Sequence, residues 1–320
     1  MPFIHEDAEF DDLLRIVADR RRLPIGLVEK DYWVTHTLWA ILSQGFELWF
    51  KGGTSLSKGF GIIERFSEDL DLKIEPGTVA ALPAVTDWER QGARVTEERR
   101  LYFERLVEQL NVPDADTSLA AESNDRSWRS AGIRVVYPGR HLASLGPLRA
   151  FILLEVGNAR VTPFVARDLS SFVHDYLVAA GQMDAFDDNR PRAVRLVHPL
   201  VTLIEKLDAL QRRVPNMALE PATFVRHFED AARIIGAIAD LPPLDGYADP
   251  NALALDMLSQ RQIHAFPTID DPAFMPMDDP RWHVIHAAHE AIGLMFWGER
   301  IDLDTACHVI REWVGSSLIH

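Results

Sequence analysis

The chain has 320 residues, 47% of them hydrophobic and 25% charged, with a formal net charge of −15. This is the make-up of an ordinary globular protein with room for two packed lobes. It excludes a disulfide scaffold, because Cys307 is the only cysteine. It also excludes a bilayer-spanning segment, since no apolar run approaches roughly 20 residues, and a generic basic nucleic-acid coat, which would need a surplus of Lys and Arg.

The acidic start Met1-Pro2-Phe3-Ile4-His5-Glu6-Asp7 has no secretory pattern, so the cytoplasm is the expected compartment. Residues 8 to 44 read as helix in two apolar stripes, one through Leu13, Leu14, Ile16 and Val17, the other through Leu27, Trp33, Val34, Leu38 and Ile41. Gly45 is the stop signal. Phe46 to Phe50 reads as a short strand ending at Gly52-Gly53. Thr54 to Phe60 is then a brief helix with Thr54 as its hydroxyl N-cap.

Arg65 to Ile74 alternates as a second strand, 87 to 109 reads as a helix, and Asp114 to Asn124 as a loop. Strands follow at Ile133 to Tyr137 and Arg149 to Val156. From Pro199 the pattern is helical, with helices expected at 200–213, 221–239, 249–264, 280–297 and 303–316. The stretch 265 to 280 is rich in Asp, Pro and Met and reads as a loop. The division falls near residue 180, giving an α/β lobe over 1–180 and a mainly helical lobe over 181–320. No internal repeat is present.

Four features carry chemistry. The first is Lys51-Gly52-Gly53-Thr54-Ser55-Leu56-Ser57-Lys58. Two glycines let backbone approach a ligand, and the helix that follows offers free N–H groups to phosphate oxygens. A simple turn reads the same way, and the spacing is not that of a P-loop. The second is Asp69 with Asp71. Residues i and i+2 of a strand share a face, so the two carboxylates project together while Leu70 and Leu72 face the core. Hard oxygen donors of this kind suit Mg²⁺. A solvent-facing edge strand is the plain alternative, with Lys73 tempering the repulsion.

The third is Glu155, in the apolar run Phe151-Ile152-Leu153-Leu154-Glu155-Val156. It reads as a third metal-facing acid or as an edge glutamate with outward access, and Arg160 either pairs with it or contacts phosphate. The fourth lies in the helical lobe. Lys206 sits at the edge of the apolar face of Leu200, Leu203, Ile204, Leu207 and Leu210, where a lysine commonly snorkels to water. Asp230, in Arg226-His227-Phe228-Glu229-Asp230, reads alone as a helix-surface acid.

Taken as a set, these segments resemble the AbiEii/AbiGii toxin family, which includes MenT-like toxins, a branch of the DNA polymerase β-like nucleotidyltransferase superfamily. Val28-Glu29-Lys30-Asp31-Tyr32-Trp33-Val34-Thr35 looks like its N-terminal segment. Lys51 to Lys58 and Ile63 to Leu72 look like its nucleotide and metal motifs. Leu154-Glu155-Val156-Gly157-Asn158-Ala159-Arg160 resembles its third-carboxylate strand, His198-Pro199 with Glu205-Lys206 its lysine motif, and Arg226-His227 with Asp230 its late motif. Phe228-Glu229 and Val156-Gly157-Asn158 depart from the commoner residues at their places.

The resemblance implies an α+β, two-lobed protein, with a polymerase-β-like core of mixed sheet and helices and a C-terminal helical lobe that completes an active-site cleft. It implies Gly53, Thr54 and Ser55 around a triphosphate, with Lys51, Gly52, Lys58, Ser67 and Arg160 as further nucleotide contacts. Asp69, Asp71 and Glu155 would hold Mg²⁺ or Mn²⁺, and Lys206 and Asp230 would complete the catalytic set. Glu155 or Asp230 would take the acceptor's proton. The expected reaction transfers NMP from an NTP to RNA, with a tRNA 3′ end as acceptor, in a toxin with a cognate antitoxin. Phosphate on Ser67 is expected to silence the enzyme through like charge beside the metal carboxylates.

Two rival readings are a nucleotidyltransferase acting on a protein or small molecule, and a nucleotide-sensing module without turnover. The histidines His283, His286 and His289 sweep too wide an arc for one zinc and read as structural or surface groups. Cys307 reads as a small core residue.

Overall fold

In the computed structural model, residues 1–65, 69–79, 82–146, 148–216 and 218–318 are described, Leu294 by its backbone alone. In chain order the elements are α1 (Phe10–Arg21), α2 (Ile25–Ser43), β1 (Glu47–Lys51), α3 (Gly52–Thr54), β2 (Asp69–Glu75) and α4 (Ala93–Gln109). Then come β3 (Asp116–Ala120), β4 (Ser130–Val136), β5 (Ile152–Gly157), β6 (Phe164–Arg167), α5 (Phe172–Ala179) and β7 (Val194–Val197). The rest is helical: α6 (Pro199–Arg213), α7 (Arg226–Gly236), α8 (Pro250–Ser259), α9 (Pro280–Ala291) and α10 (Leu303–Ser317). This is the expected α+β architecture, a mixed sheet with a helical C-terminal region.

The seven strands form one sheet in the order β3-β4-β5-β2-β1-β7-β6. β1 pairs parallel with β7 and β2 parallel with β5, while β3–β4 and β4–β5 are antiparallel. The strands buried on both faces read as apolar runs rather than strict alternation, as Ile152-Leu153-Leu154 does in β5.

The chain divides into two compact units. One comprises Met1–Phe50, Ser67–Ala159 and Ala166–Leu196; the other comprises Lys51–Phe66, Arg160–Val165 and Val197–His320. In the first, α2 is buried along almost its whole length, including the charged residues Glu29, Lys30 and Asp31. In the second, α6, α7 and α10 pack around Leu203, Ile204, Leu207, Phe228 and Ile310. Three of its helices open on aspartate N-caps. Asp249, Asp279 and Asp302 accept backbone N–H groups of Ala252, Trp282 and Thr305, and Pro250 and Pro280 supply the first helical residue.

Four local expectations are corrected. The segment Asp114 to Asn124 holds a strand, β3, because residues 116–120 pair along β4 and Leu119 lies against Ile133. Thr54 is not an N-cap. Helical geometry begins two residues earlier, Thr54 itself has φ −67° and ψ −32°, and Gly52 makes the reversal out of β1 at φ +74°. The helix expected at 87–109 starts only at Ala93, after Gly92 at φ +137°. The helix expected at 221–239 is α7, flanked by short 3₁₀ turns. The short elements β6, α5 and β7 carry too few residues for a periodic signal, and none was anticipated.

Candidate active site

In the first unit, β2 sets the carboxylates. Leu70, Leu72 and Ile74 are buried on one face, and Asp69, Asp71 and Lys73 are half-buried on the other. In the parallel pairing to β5, Asp71 stands opposite Glu155 and Asp69 opposite Leu153. Glu155 is exposed, so the outward alternative describes its accessibility, yet its register places it on the carboxylate face. The cation that tempers the pair is not Lys73, which turns to Glu75 at 2.8 Å. It is Arg149, whose Nη1 lies 2.6 Å from Asp69 Oδ1. No sequence signal marked Arg149 for that role.

Arg149 is itself held. Lys30, 1% exposed, donates from Nζ to the Arg149 carbonyl at 2.8 Å. Its neighbours on α2 do similar work. Glu29 accepts backbone N–H groups of Arg140 and His141 at 2.8 and 2.9 Å, and Asp31 accepts that of Phe172 at 2.8 Å. Three consecutive charges in a buried helix thus tie down three distant segments. Each is satisfied, as buried charges must be.

The donor set on this face fits a divalent cation in kind. Asp69, Asp71 and Glu155 offer hard carboxylate oxygens from neighbouring strands. Among the described residues, no three His, Cys, Asp or Glu side chains are drawn together into a ready metal-binding group. Ser67 lies outside the described residues.

In the second unit, the Lys51 to Lys58 segment turns at Gly52. Gly52, Gly53, Thr54 and Ser55 are buried. The Ser55 hydroxyl is buried and has no hydrogen-bond partner among the described residues, a state that costs free energy unless a ligand fills it. Lys51 Nζ is 2.7 Å from Glu205 Oε1, so the residue before Lys206 anchors the lysine that precedes the glycine turn. Lys58 is half-buried.

Lys206 does not snorkel to water, and Asp230 is no surface acid. Asp230 is fully buried, and Lys206 Nζ reaches it at 2.7 Å. Arg65 clamps the same carboxylate through Nε and Nη2, both at 2.7 Å. Burial alone would raise the Asp230 pKa, but Arg65 and Lys206 outweigh it and hold the acid well below the carboxylate range. A carboxylate so stabilised is a poor proton acceptor. Arg65, 1% exposed, went unnoticed in the sequence because it sits inside a motif read as strand.

Arg160 is engaged within its own unit. It donates to Thr162 O, Gln262 Oε1, Tyr247 Oη and Asp256 Oδ2. The histidine set on α9 disperses, with His283 on Asp278, His286 near Asp304 and His289 near Glu229. Cys307 is buried, as expected of a core residue.

The family model described as nucleotidyl transferase AbiEii toxin, type IV toxin–antitoxin system, matches residues 40–290. The chain belongs to the AbiEii family. It is therefore a nucleotidyltransferase, and its family is that of type IV toxins. The AbiEii match takes in the glycine turn, β2, Glu155, Lys206 and Asp230, and leaves Glu29-Lys30-Asp31 outside. No curated protein and no solved structure matches the chain. Among the described residues no helix is long and apolar enough to cross a membrane.

Proposed function

We propose that this AbiEii protein is a Mg²⁺-dependent toxin that transfers NMP from an NTP to RNA, with a tRNA 3′ end as the acceptor. The observation that carries the reading is the register of Asp69 and Asp71 beside Glu155, on strands that expose one face of carboxylates. In this reading Asp69, Asp71 and Glu155 hold the metal, with Mn²⁺ as a substitute. The metal, when bound, would shield phosphate charge and ease ionisation of the attacking hydroxyl.

The chain's own residues do the rest. Backbone N–H groups after Gly52 and the unpartnered Ser55 hydroxyl take phosphate oxygens. Lys206 carries positive charge to the phosphates. The acceptor oxygen bonds to the α-phosphorus, the bond from that phosphorus to the β-phosphate bridging oxygen breaks, and pyrophosphate leaves. The hydroxyl proton passes to an oxygen of exposed Glu155 that does not hold the metal, rather than to Asp230, both of whose oxygens are clamped by cations. Asp230 holds Lys206 and Arg65 in position. A cytoplasmic setting and a cognate antitoxin accord with the type IV family.

The test is incubation with total RNA and each of the four α-labelled NTPs, with Mg²⁺ or EDTA. Metal-dependent label at tRNA 3′ ends is the expected result. No label on RNA from any NTP would refute the RNA acceptor. The net charge of −15 favours a second acceptor class, a protein or small molecule, because a polyanion is repelled at long range. Label on protein instead of RNA would establish it.

A further inference from the structure

The apolar stripe of α1 is wider than its packing. Leu14 and Val17 are buried, whereas Leu13 is half-buried and Ile16 is 43% exposed. Leu13 and Ile16 line a cavity of about 560 Å³ inside the first unit. Ile4 and Phe10 continue the lining ahead of them, and Leu177 of α5 and residues 184–186 complete it. Ile4, Phe10 and Leu177 are each at most 3% exposed, so the depth of the cavity is apolar. The volume lies in the range of about 300–1,000 Å³ that binding sites occupy.

The charged lining is of one sign. Asp7, Glu9, Asp12 and Asp184 line the cavity, and no Lys, Arg or His does. Asp7 has a structural duty, since its Oδ1 accepts the backbone N–H of Glu9 at 2.7 Å. Glu9, Asp12 and Asp184 are exposed, and among the described residues no cation lies within ion-pair distance of them. Neighbouring acids show the ordinary outcome. Asp11 pairs with Arg15 at 2.7 Å and Asp175 with Arg21 at 3.4 Å. Arg20, on the same helix, stands over the Tyr176 ring at 4.8 Å instead of reaching an acid. The dipole of α1 favours Glu9 and Asp12 at its start. It does not explain why Asp184 joins them around an apolar cavity.

Glu9, Asp12, Leu13 and Ile16 recur at i, i+3, i+4 and i+7, which puts two acids and two apolar groups on one helical face. Asp184 adds a third acid from the segment after α5. An apolar depth with a solvated polar rim is the anatomy of a protein-docking site. An acidic rim selects a partner of opposite charge.

We infer that this groove docks a segment of another protein in which an aliphatic or aromatic side chain stands between Lys or Arg residues. The apolar side chain enters beside Ile4, Phe10 and Leu177, and the cations meet Glu9, Asp12 and Asp184. None of the residues proposed for nucleotide transfer lines the cavity, so the inference stands apart from that reading.

The test is fluorescence anisotropy with labelled, end-blocked heptapeptides Lys-Arg-Ala-X-Ala-Arg-Lys, where X is Leu, Ile, Phe, Tyr, Trp or Ala. The full chain is titrated at physiological salt beside two triple variants that remove the same charge. Glu9→Gln/Asp12→Asn/Asp184→Asn neutralises the rim, and Asp240→Asn/Asp270→Asn/Glu290→Gln neutralises acids of the second unit. All six side chains are exposed, and circular dichroism with thermal melts confirms folding. At least one peptide with a large X is expected to bind in the micromolar range, and the Ala peptide at least about tenfold more weakly. The rim variant is expected to lose at least about tenfold in affinity, and the second-unit variant less than about twofold. No binding by any peptide, or equal binding of the Ala peptide, would overturn the inference. Equal losses in the two triple variants would overturn it by reducing the effect to net charge. So would a dimer of the free chain in sedimentation that the rim variant dissolves, which would assign the groove to a second copy.

Discussion

Asp71 of β2 stands in register with Glu155 of β5, so two carboxylates share one face across a parallel pair of strands. Like charges placed opposite each other on a sheet are destabilising, by up to about 1 kcal/mol. The arrangement therefore opposes folding except as cations offset it. Arg149 at Asp69 is one such cation.

Removing one of these acids should separate stability from activity. Asp71→Asn is expected to abolish the stabilisation that Mg²⁺ gives the wild type, with a smaller effect on the melting temperature in EDTA. A comparable loss in EDTA would show that Asp71 holds the fold through a protein partner instead. Thermal melts with and without Mg²⁺ read both effects.

The Arg65–Asp230–Lys206 group is a buried triad, and breaking one member leaves uncompensated charge. Asp230→Asn is expected to cost about 3–5 kcal/mol in denaturant unfolding. Lys206→Met, which leaves the Arg65–Asp230 clamp whole, should cost less stability and more activity. Because the folded pKa of Asp230 is lowered, its contribution is present above the unfolded carboxylate pKa and is lost only as pH falls below it. No acid limb from Asp230 is expected in the rate profile between pH 5 and 8. A wild-type acid limb in that range that Asp230→Asn removes would restore it as the proton acceptor.

His36 gives the first unit a pH dependence. It is buried in a network with Tyr32, Asn189 and His174, in which Asn189 Nδ2 lies 2.8 Å from its Nδ1 and His174 Nε2 lies 2.6 Å from Asn189 Oδ1. Burial, with His5 next in weight, pushes its pKa down to about 4. The unfolded state thus binds the proton first as pH falls. Stability from this group is complete above about pH 6.5 and declines between 6.5 and about 4, by at most about 3 kcal/mol. Denaturant titrations at pH 7.5, 5.5 and 4.5 should show the decline. A flat profile would mean that His36 is charged or exposed in the folded chain.

Glu29 is a structural acid. It is fully buried and accepts two backbone N–H groups. Glu29→Ala is expected to lose about 3 kcal/mol, since hydrogen bonds to charged groups are worth about 1.5–3 kcal/mol each. Equal stability would show that the 140–141 segment needs no anchor from α2.

The long periodic helices and the two alternating strands were legible because each buries one stripe or one face. Residues 116–120 were not, since polar Asp, Thr and Ser on an edge strand look like a loop until β4 is present to pair with them. Asp69 and Asp71 were legible as a pair because strand spacing alone puts them on one face. Arg149 and Arg65 were not, because their partners lie 80 and 165 residues away in the chain. On spacing alone Lys206 reads as a snorkelling lysine for the same reason, since its reach to Asp230 crosses from α6 to α7.

The most direct measurement is transfer of α-labelled NTP to tRNA in Mg²⁺ by the wild type and by an Asp69→Asn/Asp71→Asn variant with matched circular dichroism. The expected result is robust label from the wild type and a loss of at least about a thousandfold in the variant. Undiminished transfer by the folded variant would contradict the assignment of the metal to this carboxylate face.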